Sequence, residues 1–171
     1  DGSQGPTTQA SPLSSINDLT TTEHGPVWDQ VAGVVGGRPY TLNEIEHREL
    51  RGKWGEPTIH SCIVCASASC PDLRPGAFCG EPAMLRAAMD EQFRGWMANP
   101  TKGIRLDKTA DGGGVVYLSR IFLWFAADFG GERWPWPWWL NGAGSGPVLA
   151  FAGQYACAED AAFIAAAACR S

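Results

Sequence analysis

Three cysteines, one histidine and a run of small residues share the stretch Ile59-His60-Ser61-Cys62-Ile63-Val64-Cys65-Ala66-Ser67-Ala68-Ser69-Cys70-Pro71-Asp72-Leu73-Arg74. A thiol beside an imidazole is a nucleophile with its base. The base draws off the thiol proton and raises the thiolate fraction. Cys65 or Cys70 would be the nucleophile, and His60 or His47 the base. Glu46 or Asp128 would orient the imidazole, and Arg51 or Arg74 would hold a substrate carboxylate. Histidine preceding cysteine in the chain is no obstacle, because such constellations are defined by geometry.

Two other chemistries fit the same residues. If residues 66 to 69 turn back, the Cα atoms of Cys65 and Cys70 can come within the ~4.4–6.8 Å that a disulfide needs. The bend is then a staple in a domain that binds a partner or small ligand, with Ser67, Ser69, Arg51 and Arg74 as contact groups. Zinc held by Cys65, Cys70 and a histidine is the third, but the spacing matches no standard finger. The expectation is no metal and no cofactor. Cys62 and Cys65 make a C-x-x-C spacing within an apparent strand, where side chains three apart point to opposite faces. A redox motif there is not favoured. His47 also has a bland reading, as a satisfied, partly buried histidine on a helix.

The elements around these residues follow from local pattern. Ile59, Ile63 and Val64 give the key stretch the look of a short buried strand over 59–65 that runs into a bend of small residues. Thr41-Leu42-Asn43-Glu44 fits a capping box, opening a helix to about Arg51 that Gly52 stops. Glu81-Pro82 opens another. Leu85, Met89, Phe93, Trp96 and Met97 follow at helical spacing as one core-facing stripe, and Asn99-Pro100 ends it. Apolar segments 103–107 and 115–118 flank a Gly-rich turn and read as a hairpin. The turn's three glycines lack the Gly-Lys-Ser/Thr ending of a phosphate loop. Ser119 caps a helix through Ile121, Phe122, Leu123, Trp124 and Phe125 to Phe129, apolar nearly all round and so expected to be central. Ala-rich helices close the chain over 148–155 and 159–169. A helix over 158–169 holds Cys157 and Cys169 ~18 Å apart, too far to bridge.

Several of these motifs are familiar together. His60, Cys65-Ala66-Ser67, Ser69-Cys70-Pro71 and Leu73-Arg74 resemble the signature of the domain-of-unknown-function 547 family. Leu42-Asn43-Glu44-Ile45-Glu46-His47 with Leu50-Arg51 resembles that family's preceding helix. Leu118-Ser119, Ile121-Phe122, Trp124-Phe125 and Asp128-Phe129 resemble its later segment. The likeness runs over roughly 40 to 131. The family's upstream helical segment, with a Trp-Ile-Asn and Tyr-Asn pattern, has no counterpart in residues 1 to 40. The chain thus resembles the later part of the family domain; if the upstream piece supplies a catalytic or binding residue, the resemblance implies a non-catalytic relative or part of a longer precursor. The resemblance brings no activity with it.

Composition sets outer bounds. The chain has 171 residues, 44% hydrophobic and 18% charged, with a net charge of −5. One globular domain is expected over 16–171, behind a disordered arm at 1–15. Residues 16 to 40 carry scattered anchors, Ile16, Leu19, Val27, Trp28 and Val31, and read as a covering loop with a short helix. The acidic balance argues against nucleic acid and against an anionic membrane surface. No apolar run reaches the ~20 residues of a membrane span. The opening Asp1-Gly2-Ser3-Gln4-Gly5-Pro6 suits a processed or truncated chain. Six cysteines favour an oxidising compartment, secreted or periplasmic.

Trp134, Trp136, Trp138 and Trp139 alternate with prolines on an extended path. They read either as a lid on the domain or as a contact surface for a protein partner or for membrane headgroups. Taken together, the sequence predicts an α+β fold: a small, mostly antiparallel sheet from 59–65, 103–107 and 115–118, with helices packed on it. The function expected is a secreted or periplasmic interaction or ligand-binding domain, of the kind that serves as an accessory subunit of a larger assembly. The alternative is a thiol-dependent hydrolase or transferase.

Overall fold

The structure is a computed structural model, describing residues 16–20, 23–65, 67–131 and 146–169. The arm at 1–15 and the four tryptophans at 134–139 lie outside the described residues. The chain forms two compact units, one up to Arg48 and one from Glu49. The fold is α+β, with short helices and two two-stranded antiparallel sheets.

In the first unit, strands β1 (Val31–Val35) and β2 (Arg38–Thr41) pair antiparallel. Gly36 and Gly37, at φ +58° and +79°, make the two-residue turn between them. Mirror-image hairpin turns need such angles and select glycine. The sequence predicts only a covering loop here. The Gly-Gly pair between Val34-Val35 and Tyr40-Thr41 is the hairpin signal it overlooks. The capping box forms as expected. The Glu44 amide donates to Thr41 Oγ1 at 3.0 Å, and the Thr41 amide donates to Glu44 Oε2 at 3.1 Å.

The helix that follows, Glu44–Trp54, is wound as a π-helix. It passes Gly52, where the sequence predicts its end, and stops at Gly55, whose φ is +60°. A left-handed residue is what terminates a helix, and glycine adopts it without a Cβ penalty.

In the second unit, the expected strand at 59–65 is instead a 3₁₀ turn, Pro57–Ser61. The cause lies just upstream. The Glu56 carboxylate accepts from the Thr58 amide at 3.1 Å and from its hydroxyl at 2.8 Å, and Pro57 occupies the first helical position. Ser61 closes the turn by donating its hydroxyl to the Thr58 carbonyl at 2.8 Å. Thr58, Ile59, His60 and Ser61 are all buried. A buried run thus exists here, with helical rather than extended backbone, but only Ile59 in it is apolar, Ile63 is half-buried and Val64 is exposed.

Helix α1 (Pro82–Met97) is capped by Glu81, whose side chain accepts from the Met84 amide at 2.8 Å. Strands β3 (Ile104–Lys108) and β4 (Gly114–Leu118) form the expected hairpin, in register from Ile104 opposite Leu118 to Lys108 opposite Gly114. The sheet therefore has two strands in this unit, without a third from 59–65. Ser119 caps α2 (Arg120–Trp124), which breaks at Phe125 into a 3₁₀ turn, Ala126–Phe129. One continuous helix over 121–129 is not formed, and Leu123 and Trp124 are exposed. Helices α3 (Gly146–Gly153) and α4 (Ala158–Ala168) pack on each other.

The core of this unit is aromatic. The Phe93 ring is fully buried and meets Trp96, Phe122, Phe129, Phe151 and Tyr155 at centroid distances of 4.4–6.4 Å. Trp96 stacks on Phe122 at 5.3 Å and 7°. The stripe of α1 divides. Phe93, Trp96 and Met97 enter this core, while Leu85 and Met89 are only half-buried and face a groove.

Candidate functional site

The break after α2 turns Asp128 onto two groups from the earlier part of the unit. Arg51 Nε donates to Asp128 Oδ2 at 2.5 Å, and Arg51 Nη2 to Oδ1 at 3.0 Å. His60 Nε2 lies 2.8 Å from Oδ2. Burial raises the Asp128 carboxyl pKa, but the bonds from Arg51 and His60 outweigh it and hold the group below its ordinary value. An ionised carboxylate only accepts, so Nε2 carries the hydrogen of that bond. The His60 ring is 2% exposed, stacked on Phe125 at 4.6 Å and tilted against Phe129 at 5.2 Å. The Arg51 guanidinium also lies over the Phe125 ring, 4.4 Å from its centroid. Arg51, His60 and Asp128 thus form one packed charged cluster. It ties the end of the π-helix, the 3₁₀ turn and the segment after α2 together.

The cysteines sit on the next bend. The Cys70 amide donates to the Ser67 carbonyl at 2.9 Å, closing a tight turn. The Ser69 carbonyl accepts from the Trp96 indole at 3.3 Å and from the Ser119 hydroxyl at 3.2 Å. Ser69 therefore anchors the bend to the core. Cys70 is 2% exposed and Cys65 is exposed. Their sulfurs are 3.4 Å apart, and the Cys65 amide donates to Cys70 Sγ at 3.0 Å. Both are thiols in this structure. Cys62 is half-buried, and burial pushes its thiol pKa up.

Other sequence-predicted residues fall elsewhere. Glu46 and His47 belong to the first unit, with His47 Nδ1 4.0 Å from Glu46 Oε1. Arg74 lines a shallow cleft of about 430 Å³ with Asp72, Gly76, Glu91 and Trp96. Its Nη1 donates to Glu91 at 3.3 Å, its guanidinium lies 5.4 Å from the Phe78 centroid, and its Nε is buried without a hydrogen-bond partner. Among the described residues, no group of three His, Cys, Asp or Glu side chains could hold a metal ion. No helix among them is long and apolar enough to cross a membrane.

A second concavity, roomier than the Arg74 cleft, is one the sequence does not announce. It is a groove of about 740 Å³ lined by Leu50, Trp54, Ile59, Cys62, Ile63, Phe78, Leu85 and Met89. Lys53, Glu56 and Arg86 supply its charges. Glu56 and Arg86 form an ion pair. Burial raises the Glu56 carboxyl pKa, but its bonds to Thr58 and Arg86 leave it below the ordinary value. Trp54 is 68% exposed on the groove wall. A volume of this size matches the range of small-molecule sites, roughly 300–1,000 Å³. The only sequence signal for it is that Leu85 and Met89 lie on the N-terminal half of an otherwise core-facing stripe.

A family model described as protein of unknown function, DUF547, matches residues 7–97. The chain belongs to this family. Within the matched DUF547 region lie Arg51, His60, Cys65, Cys70, Arg74 and every residue of the groove wall. Asp128, which completes the cluster, comes from the segment after the matched region. No curated protein and no solved structure matches the chain.

Proposed function

We propose that this DUF547 chain is a ligand-binding domain whose groove between the 3₁₀ turn and the first half of α1 takes a ligand with an extended apolar body. The observation that carries this reading is the groove itself, about 740 Å³ of mostly apolar wall on a folded unit that already has a separate core. Exposed apolar concavities of this kind are retained for a ligand or partner. The charged groups at its rim are already paired, Lys53 with Glu49 and Arg86 with Glu56 and Asp90, so the apolar wall rather than a charged head carries the affinity. The six cysteines support placing the domain in an exported protein. The tryptophans at 134–139 are suited to a protein partner.

A calorimetric comparison of dodecanoate, dodecanol and dodecylamine tests the proposal. All three bind, within about tenfold of one another, a spread of about 1.4 kcal/mol. Absence of binding by all three, or binding by only one of the two charged amphiphiles, would falsify it.

The thiol-enzyme reading draws support from the exposed Cys65 sulfur. Against it, His60 commits Nε2 to Asp128 and is packed between aromatic rings, so it serves the fold as a cluster member.

A further inference from the structure

The Cys65 and Cys70 sulfurs lie 3.4 Å apart with opposite exposure, one open to solvent and one 2% exposed. Closing to the S–S distance of about 2.05 Å needs a shift of about 1.4 Å. The two sides of the bend differ in what holds them. Cys70 is fixed by the Ser67 carbonyl on its amide, by Ser69 bound to Trp96 and Ser119, and by the buried ring of Pro71. Cys65 follows exposed Val64 and is itself exposed. The Cys65 amide donates to Cys70 Sγ, which stabilises the thiolate that this sulfur becomes before it attacks.

From this we infer that Cys65 and Cys70 form a thiol–disulfide exchange site for small, unhindered disulfides, with Cys65 as the entering thiol and Cys70 as the resolving thiol. The inference rests on the two sulfurs and is independent of the groove. Cys65 sulfur attacks one sulfur of the substrate disulfide. A mixed disulfide forms, the substrate S–S bond breaks, and the first substrate thiol leaves with the Cys65 proton. Cys70 sulfur then attacks Cys65 sulfur. The Cys65–Cys70 bond forms, the mixed disulfide breaks, and the second substrate thiol leaves with the Cys70 proton. Two protein thiols are oxidised and one substrate disulfide is reduced to two thiols. Excess small thiol reverses the sequence. Cys62 is kept out of the exchange because burial raises its thiol pKa and suppresses its thiolate.

The experiment uses the full chain with Cys62, Cys79, Cys157 and Cys169 replaced by Ser. The reduced protein is incubated with glutathione disulfide at neutral pH, quenched with acid and weighed intact. The expected product has lost two hydrogens and carries no adduct, and reduced glutathione restores the starting mass. Cys70→Ser accumulates the glutathione adduct on Cys65, because the resolving step is gone. Cys65→Ser, at an exposed position that leaves the fold intact, gives neither product on the time scale of the parent reaction. A stable adduct on Cys65 with Cys70 present, no mass change under excess disulfide, or oxidation as fast in the Cys65→Ser chain would overturn the assignment. If Cys70→Ser does not fold, the parent and Cys65→Ser chains still decide the question.

Discussion

Arg51 and Asp128, 77 positions apart in sequence, are joined by two hydrogen bonds, Nε to Oδ2 at 2.5 Å and Nη2 to Oδ1 at 3.0 Å. This fork fixes the end of the π-helix against the segment after α2, and His60 completes it from the 3₁₀ turn. Each charge-assisted bond contributes about 1.5–3 kcal/mol when its partner would otherwise stay buried and unpaired. Asp128→Asn is expected to lower stability by about 2–3 kcal/mol in urea unfolding. Arg51→Lys recovers only part of the loss, since an ammonium cannot reproduce the planar fork over Phe125. Unchanged midpoints in both variants would mean that the cluster does not hold the fold.

The same carboxylate sets an acid limit. Asp128 is held below its ordinary pKa in the folded state, as is Glu56. Groups of this kind contribute stability above their unfolded pKa and lose it as pH falls through the lowered folded value. Stability should therefore be flat from neutral down to about pH 4 and decline below that. In Asp128→Asn the decline should be shallower. Parallel acid limbs for the two proteins, followed by circular dichroism, would remove Asp128 from the explanation.

The divided stripe of α1 gives a contrast within one helix. Phe93→Ala should cost about 3–5 kcal/mol, because its ring is at the centre of the aromatic core. Leu85→Ala should cost no more than about 1.5 kcal/mol, since its side chain is already half open to the groove. Equal costs in urea unfolding would mean that the groove is closed in solution.

Ser119 joins two tasks, capping α2 and holding the Ser69 carbonyl. Ser119→Ala should cost about 1 kcal/mol through the lost cap. It should also speed amide hydrogen exchange in the 67–70 turn. A cost without faster exchange there would show that Trp96 alone secures the bend.

Much of this fold was legible in local pattern. Glu81-Pro82, the β3–β4 hairpin and the Thr41–Glu44 capping box announce themselves, because each depends on residues a few positions apart. The stretch around His60 does not. A few β-branched residues look alike in a strand and in a capped turn, and what decides is the Glu56 carboxylate on Thr58. The Arg51–His60–Asp128 cluster could be suspected from residue type, yet its assembly depends on the break at Phe125. The groove was hidden for a different reason. Helical periodicity tells which face is apolar, not which half of that face another element covers.

The measurement that bears most directly on the central claim is a chain-length series of linear carboxylates, octanoate to tetradecanoate, titrated calorimetrically into the wild-type chain and into Trp54→Ala. Trp54 is exposed on the groove wall, so its loss leaves the fold intact. If the groove takes an apolar chain, affinity rises by about 0.8 kcal/mol, about fourfold in Kd, for each added methylene until the groove is full. Trp54→Ala flattens that rise at unchanged melting temperature. A series without length dependence, or one identical in the two proteins, would contradict a ligand in this groove.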